Sequence, residues 1–443
     1  MTMTQITDSL SQKIADRTIR VGVIGMGYVG LPLALAFVER AKIRVTGFDI
    51  DPKKTDALSR GESYIMYIGP ERVRRARDLG LFDATSDLTR LGEPDALLIA
   101  VPTPLTPQRT PDMQYVNDTA RQVRDTLRRG QLVVLESTTY PGTTDELVRS
   151  ILEESGLRCG EDFLLAFSPE REDPGNRQFS TTTIPKIVGG VNAAAGDVAS
   201  ALYACAVDKV VRVSSARVAE ATKLTENIFR AVNIALANEL KVIYDRMGID
   251  VWDVLDAAAT KPFGFMKFTP GPGLGGHCIP LDPFYLTWKA REYGLTTRFI
   301  ELAGEVNVSM PQYVIDKLQA ALNQRGKPLR GSRVLILGLA YKKNIDDPRE
   351  SPSFELIELL LERGAEVSYH DPHISEMPRM RAHPHLRPMT SQPLTAELLS
   401  STDVVLLATD HTAVDYALVA EHARLIVDTR GVYRGSHSNV VKA

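Results

Sequence analysis

Cysteine is scarce in these 443 residues: Cys159, Cys205 and Cys278 are the whole set, odd in number and far apart. Three scattered thiols build neither a disulfide framework nor a four-cysteine zinc site. A surplus of one charge is lacking too, since 52 basic side chains face 55 acidic ones and the formal net charge is −3. That balance excludes the basic footprint of a nucleic-acid-binding protein. No apolar run approaches the ~20 residues needed to span a bilayer. The first twenty residues, broken by Asp8, Lys13, Asp16, Arg17 and Arg20, hold no signal-peptide core. Solenoid-length repeats and low-complexity tracts are missing as well. What is present is an ordinary globular composition, 44% hydrophobic and 24% charged, with length for about three domains at ~150 residues each. The expectation is a soluble, cytoplasmic, multi-domain protein with no nucleic-acid or membrane partner and no metal.

Two segments begin alike. Ile19 to Ile24 (I-R-V-G-V-I) runs straight into glycines, and R-V-L-I-L-G does the same from Arg333. A helical pattern and a second strand follow each, V-T-G-F-D-I at Val45–Ile50 and E-V-S-Y-H-D at Glu366–Asp371. Further apolar runs lie at Ala96–Val101, Leu132–Glu136, Val404–Thr409 and Leu425–Asp428. Continuous apolar strands alternating with amphipathic helices predict parallel sheets covered on both faces, one near each end of the chain. Between them, Ser214–Met247 keeps helical spacing with no glycine or proline until Gly248. A second helical stretch runs from about Thr297 to Gln324, interrupted at Gly304 and Pro311. Thr260–Pro283, rich in glycine and proline, reads as a long loop, and loops of that length are usually functional.

Gly25-Met26-Gly27-Tyr28-Val29-Gly30 is G-x-G-x-x-G directly after a strand and opening a helix. The first glycine permits a tight turn, the second a close approach to a pyrophosphate, the third close helix–strand packing. The helix N-terminus then offers free N–H groups to the phosphates. Asp49, 19 residues beyond Gly30, ends the next strand, where a carboxylate accepts ribose hydroxyls and repels a 2′-phosphate. NAD is therefore expected rather than NADP. Lys54 either lies over the nucleotide or is simply exposed. Val101-Pro102-Thr103-Pro104 follows a later strand and either lines the same crevice or only stiffens its turn.

Of the cysteines, Cys205 in A-L-Y-A-C-A-V reads as a small buried hydrophobe and Cys159 as incidental. Cys278 differs: it follows G-P-G-L-G-G-H and precedes an expected helix, Leu281–Tyr293. A thiol at a helix N-terminus has a lowered pKa and is reactive as thiolate. The alternative is a structural cysteine in a glycine-rich turn. Glu220, Lys223 and Asn227, at i, i+3 and i+7, share one helix face. They form either an exposed ion pair on a polar stripe or a cation and amide aimed at developing negative charge.

Taken together, G-M-G-Y-V-G, V-P-T-P, E-S-T, F-S-P-E-R-E-D-P-G, E-A-T-K-L-T-E-N, G-P-G-L-G-G-H-C-I-P-L-D-P and G-L-A-Y-K-K-N-I-D-D-P-R-E-S resemble, nearly end to end, the UDP-glucose/GDP-mannose dehydrogenases. These are NAD-dependent enzymes that oxidise the C6 alcohol of a nucleotide sugar to a carboxylate. The resemblance implies an α/β fold of two Rossmann-like, doubly wound domains joined by a long central helix. Residues 1–212 would bind NAD, residues 213–325 would form a helical, dimerising middle, and residues 326–443 would bind the UDP-sugar. Cys278 aligns with the family's nucleophile and Lys223 with its oxyanion-stabilising lysine. Asn227 and Asp282 match residues that position water and the thiohemiacetal, and Thr138 and Glu170 residues that flank the reacting centre. Gly25, Met26, Gly27, Tyr28, Val29, Gly30, Asp49, Lys54, Thr103, Thr138 and Arg349 would contact NAD. Glu170, Arg171, Lys223, Asn227, Gly273, Gly275, Gly276, Lys342 and Arg430 would contact the UDP-sugar.

G-G-H-C-I-P-L-D-P-F and S-P-E-R-E-D-P-G resemble the branch acting on UDP-N-acetylhexosamines, with UDP-N-acetylglucosamine the expected substrate. UDP-N-acetylmannosamine and UDP-glucose are the alternatives. Alcohol to carboxylate removes four electrons, so one site must use two NAD in turn and hold the aldehyde between them, which a thiolate does. Two rivals stand beside this reading: a two-electron β-hydroxyacid-type dehydrogenase and an inactive nucleotide-sugar sensor. NADH counted per product separates them.

Overall fold

The computed structural model describes residues 2–65, 68–106, 110–171, 181–276, 279, 281–380 and 382–443. They fall into two compact units, Met1–Glu226 with Phe284–Leu295, and Asn227–Pro283 with Thr296–Ala443.

In the first unit, apolar runs with no polar face become buried strands: β1 (Arg20–Ile24), β2 (Arg44–Phe48), β3 (Phe82–Thr85), β4 (Ala96–Ile99), β5 (Leu132–Leu135), β6 (Leu164–Phe167), β7 (Lys186–Gly190) and β8 (Val210–Arg212). They pair in the order β3-β2-β1-β4-β5-β6-β7-β8. Every pairing is parallel except β6 with β7. Apolar side chains are buried on both faces of the sheet, in two separate clusters. The chain reverses direction of travel between β1 and β4, and a doubly wound sheet opens its ligand crevice at such a switch, beyond the strands' carboxyl ends. Gly25, Asp49, Ala100 and Glu136 follow β1, β2, β4 and β5 by one residue each, so all four reach that edge.

The second unit repeats the plan with β9 (Arg333–Leu337), β10 (Glu366–His370), β11 (Val404–Leu407), β12 (Ile426–Asp428) and β13 (Val440–Lys442). The order is β10-β9-β11-β12-β13, all parallel. Its switch point lies between β9 and β11.

The helix Ala216–Met247 has 32 residues and begins in the first unit and ends in the second. At 1.5 Å per residue it is about 48 Å long. The helix Arg298–Gln324 corrects one expectation: Gly304 and Pro311 do not interrupt it. Proline inside a helix costs about 3 kcal/mol, but Met310, Pro311, Val314, Ile315 and Leu318 are all buried, and that burial outweighs it. The helix expected at Leu281–Tyr293 is found at Asp282–Glu292. Among the described residues no helix is long and apolar enough to cross a membrane.

Candidate active site

At the end of β1, Gly25 turns with φ 95° and donates its N–H to Phe48 O at 2.7 Å. A Cβ on Gly30 would sit 1.9 Å from the Gly25 carbonyl oxygen, so the helix Gly30–Ala41 can approach the strand only without one. A Cβ on Gly27 would meet nothing within 4 Å. That face of the turn is open, as a passing pyrophosphate requires, and the helix behind it has neither an acidic first turn nor a side-chain cap. Buried Asp49 accepts the N–H groups of Met26 at 2.9 Å and Asp51 at 3.0 Å. The Lys54 ammonium is 3.0 Å from it, so this lysine is a partner of the carboxylate. The Tyr64 hydroxyl donates to the Met26 carbonyl, a contact that no motif signals because Tyr64 lies in coil 38 residues away.

Thr103 is buried, and its carbonyl accepts the Tyr285 hydroxyl at 2.9 Å. Tyr285 thus clamps the V-P-T-P turn from the helix that follows the cysteine loop. Ser137 donates to Val101 O at 2.7 Å and leaves Thr138, half-buried, at the crevice edge. Glu170 is half-buried beyond β6; its carboxylate takes the Arg171 N–H at 2.6 Å and the Lys186 ammonium at 3.3 Å. The Arg171 guanidinium is occupied by Glu226 at 2.6 Å and by Pro185 O at 2.7 Å.

On the long helix the exposed ion pair weighed from spacing is not found. Glu220, Lys223 and Asn227 are all buried, because this face of the helix packs against protein. Glu220 accepts Gly142 N–H at 2.7 Å, Thr144 N–H at 2.9 Å and the Thr144 hydroxyl at 2.6 Å, tying the P-G-T-T turn that follows E-S-T to the helix. Burial nonetheless pushes its carboxyl up to about 7. Lys223 is 7% exposed, and among the described residues nothing hydrogen-bonds or pairs with its ammonium. Asn227 donates to Asp282, which is likewise buried.

In the second unit Gly338 turns after β9 with φ 91°, and Asp371, just after β10, accepts the N–H groups of Leu339 at 2.7 Å and Ala340 at 3.0 Å. Asp371 is to β10 what Asp49 is to β2. Its carboxylate also meets buried His411 at 3.1 Å. Burial alone would raise its pKa, yet His411 and the backbone N–H groups hold it down at about 2. The glycine-rich run packs against the segment after β9: a Cβ on Gly275 would lie 2.5 Å from Tyr341 Cβ, and one on Gly276 2.9 Å from its ring. Gly276 N–H also donates to Arg349 O at 3.2 Å, while a Cβ on Gly273 would come 3.0 Å from Pro352. The Arg349 guanidinium is held by Asp347 at 2.6 Å, and Lys342 is half-buried. Arg430 donates to Ala408 O at 2.6 Å and lies against Gly271, so the start of the cysteine loop and the D-T-R turn meet.

Cys278 itself, with His277 and Pro280, lies outside the described residues. The other thiols are not activated: burial pushes Cys159 up to about 11 and raises Cys205. Cys205 is half-buried against Arg17 rather than buried as expected, because the end of its helix reaches the surface. Elsewhere, Glu355, Glu358 and His383 bring metal-type donors within 4.8 Å of one another, but both Glu358 oxygens are taken, by His383 at 2.6 Å and His385 at 2.7 Å.

An open dinucleotide turn, a carboxylate fixed at the end of β2 and a second sheet of nucleotide-binding type define a nicotinamide-dependent oxidoreductase. The chain belongs to the UDP-glucose/GDP-mannose dehydrogenase family. The family's NAD binding domain matches residues 19–207, its central domain residues 217–309 and its UDP binding domain residues 335–435. A Pseudomonas aeruginosa relative, UDP-N-acetyl-D-glucosamine 6-dehydrogenase, is 37% identical over 361 residues, 81% of this chain and 84% of the relative. The UDP-N-acetyl-D-mannosamine dehydrogenase of Escherichia coli K12 is 36% identical over 94% of this chain and 99% of its own. Among solved structures, the UDP-D-ManNAc dehydrogenase of Pyrococcus horikoshii superposes with a TM-score of 0.86 at 32% identity, covering 96% of this chain and 98% of the other. The protein is an NAD-dependent nucleotide-sugar dehydrogenase.

Proposed function

We propose that the protein oxidises the C6 alcohol of a UDP-N-acetylhexosamine, first of all UDP-N-acetylglucosamine, to the uronate. The observation that carries the chemistry is Lys223, a buried ammonium with no counter-ion among the described residues. A cation kept dry and unpaired is poised for negative charge that develops only during reaction. The choice of sugar is supported by the G-G-H-C and S-P-E-R-E-D-P-G segments and by the P. aeruginosa relative.

The residues of the dinucleotide turn fit NAD: Gly27 leaves the pyrophosphate path open, and Asp49, already bonded to the turn, presents a carboxylate where ribose hydroxyls would lie. Bound NAD supplies the hydride acceptor for each of two successive oxidations. Cys278 captures the intermediate aldehyde as a thiohemiacetal, and the second oxidation leaves a thioester. Lys223 stabilises the oxyanion that forms when the thiolate adds to the aldehyde and again when water adds to the thioester, and Asn227, bonded to Asp282, lies one helical turn further along the same face. Water then attacks the acyl carbon, the C–S bond breaks with its electron pair on Sγ, and Glu170 or Asp282 takes the proton. Lys342 and Arg430 grip UDP, so binding energy far from C6 serves to position it.

The test is a panel of UDP-sugars with NAD, read as NADH per product followed by product mass. UDP-N-acetylglucosamine should give the highest kcat/KM and two NADH per uronate. A higher kcat/KM for UDP-glucose would overturn the sugar, one NADH per product would favour the two-electron rival, and no NADH from any sugar the sensor.

The second unit further supports a homodimer. Phe229, Leu236 and Ile243, seven residues apart on the long helix, leave an apolar stripe exposed that is costly in water. Leu236→Glu should halve the mass seen by sedimentation equilibrium, and a wild-type monomer would refute this.

A further inference from the structure

The first unit buries a cation between two carboxylates, and the reaction scheme above makes no use of it. Lys186, at the start of β7, is 4% exposed; its ammonium lies 2.6 Å from Glu136 and 3.3 Å from Glu170. Glu136, just past β5, is fully buried, and its other oxygen accepts the Tyr203 hydroxyl. Tyr203 ends the helix Ala193–Tyr203, and its ring centroid is 5.3 Å from the ammonium. Burial opposes every charge here, raising the Glu136 carboxyl; the two carboxylates outweigh it at Lys186, whose pKa is raised. Buried ion pairs of this kind seldom add stability over apolar residues of similar volume.

The arrangement is asymmetric. Glu136 is walled in, whereas Glu170 keeps 14% of its side chain open. Both Glu170 oxygens are held, one by Lys186 and one by the Arg171 N–H at 2.6 Å, while the Arg171 guanidinium is turned to Glu226.

We infer that Lys186 is a positioning residue that holds and aims the Glu170 carboxylate, with Glu136 and Tyr203 anchoring it from inside. The inference rests on the proposal that Glu170 takes the proton of the hydrolytic water. Lys186 sets how readily that proton is taken: its positive charge favours the Glu170 carboxylate, and the negative charge of Glu136 opposes it.

The two charges therefore have opposite effects on the pH dependence of hydrolysis. The experiment uses the full-length enzyme with NAD and UDP-N-acetylglucosamine, following the NADH burst and, by rapid quench, carboxylate release against pH. Lys186→Met should keep the burst, slow release and move the acid limb of the release rate up by about one pH unit. Glu136→Gln should move the same limb down, and Lys186→Arg should restore most of the wild-type profile. Should Lys186→Met not fold, Lys186→Met/Glu136→Leu leaves no charge stranded and should still show a smaller upward move. Shifts of the same sign, or slower release with an unmoved limb, would make Lys186 merely structural and overturn the inference. Glu170→Gln separates the two levels. If it releases carboxylate like the wild type, the reading of Glu170 itself fails. If it bursts and stalls while Lys186→Met keeps the wild-type profile, only the role of Lys186 fails.

Discussion

Glu220→Gln should flatten a pH dependence that the fold builds in. The Glu220 carboxyl, fully buried and pushed from 4.5 to about 7 by desolvation, holds its proton more tightly folded than unfolded. That difference corresponds to about 3 kcal/mol, at ~1.4 kcal/mol per pH unit. Below about pH 4.5 both states are protonated and the contribution is whole. As pH rises toward 7 the unfolded chain ionises first, so stability drains away, and above 7 the loss is complete. A glutamine is neutral throughout. It still accepts from Gly142 or Thr144, but its amide faces the remaining donor, which costs roughly 1–2 kcal/mol at every pH. Calorimetric unfolding from pH 4.5 to 8.5 should therefore find the variant less stable at the acid end and equal or more stable at the alkaline end. Amide exchange at Gly142 and Thr144 gives a local reading of the same effect, because Glu220 is their acceptor. A wild type and variant whose stabilities run parallel across this range would refute the reasoning.

Cys278→Ala should abolish uronate formation and lose the single alkylation label that bound UDP-sugar protects, while Cys159→Ala and Cys205→Ala keep near-wild-type turnover; carboxylate release at the wild-type rate from Cys278→Ala would sink the thioester. Asp49→Asn removes the charge that repels a 2′-phosphate and frees Lys54, so the NADP/NAD ratio of kcat/KM should rise about tenfold, ~1.4 kcal/mol, and an unchanged ratio contradicts the role. Tyr285→Phe releases the Thr103 carbonyl and should raise KM for NAD several-fold, about 1 kcal/mol, with kcat less affected; a KM equal to wild type speaks against the clamp. Gly276→Ala places a Cβ at φ 85° and 2.9 Å from the Tyr341 ring, so about 2 kcal/mol of stability should go, seen as a lower melting temperature; an unmoved Tm would show that the loop gives way freely.

Strands β1, β4, β5, β9 and β11 were legible because a parallel strand covered on both faces is a continuous apolar run. β3, β7, β8 and β13 were not. K-I-V-G-G opens on the charged Lys186 and closes on two glycines, and V-V-R and V-V-K are too short to stand out from coil. Close packing of helix on strand at Gly30 could be read because glycine positions encode close approach, and a Cβ there would lie 1.9 Å from the Gly25 carbonyl oxygen. Burial of Glu220, Lys223 and Asn227 could not, since periodicity tells which residues share a face and not what covers it. Nor could Tyr285, Tyr64 or Lys186 be found. Each acts on a partner from a distant part of the chain, and only the folded sheet brings them together.

The paired aspartates at the two switch points have a consequence for how the halves could be exchanged. In the first unit the carboxylate is held by two amides and one half-exposed lysine. In the second, the same position is saturated: two turn amides, two amides further on and a buried imidazole use up Asp371. Rewriting G-L-A-Y-K as a full dinucleotide fingerprint would reopen the phosphate path and still leave no acceptor for ribose. His411 would have to go as well, and its loss alone strands a buried carboxylate. Two changes, the first insufficient and the second harmful when made alone, stand between the second nucleotide fold and the first.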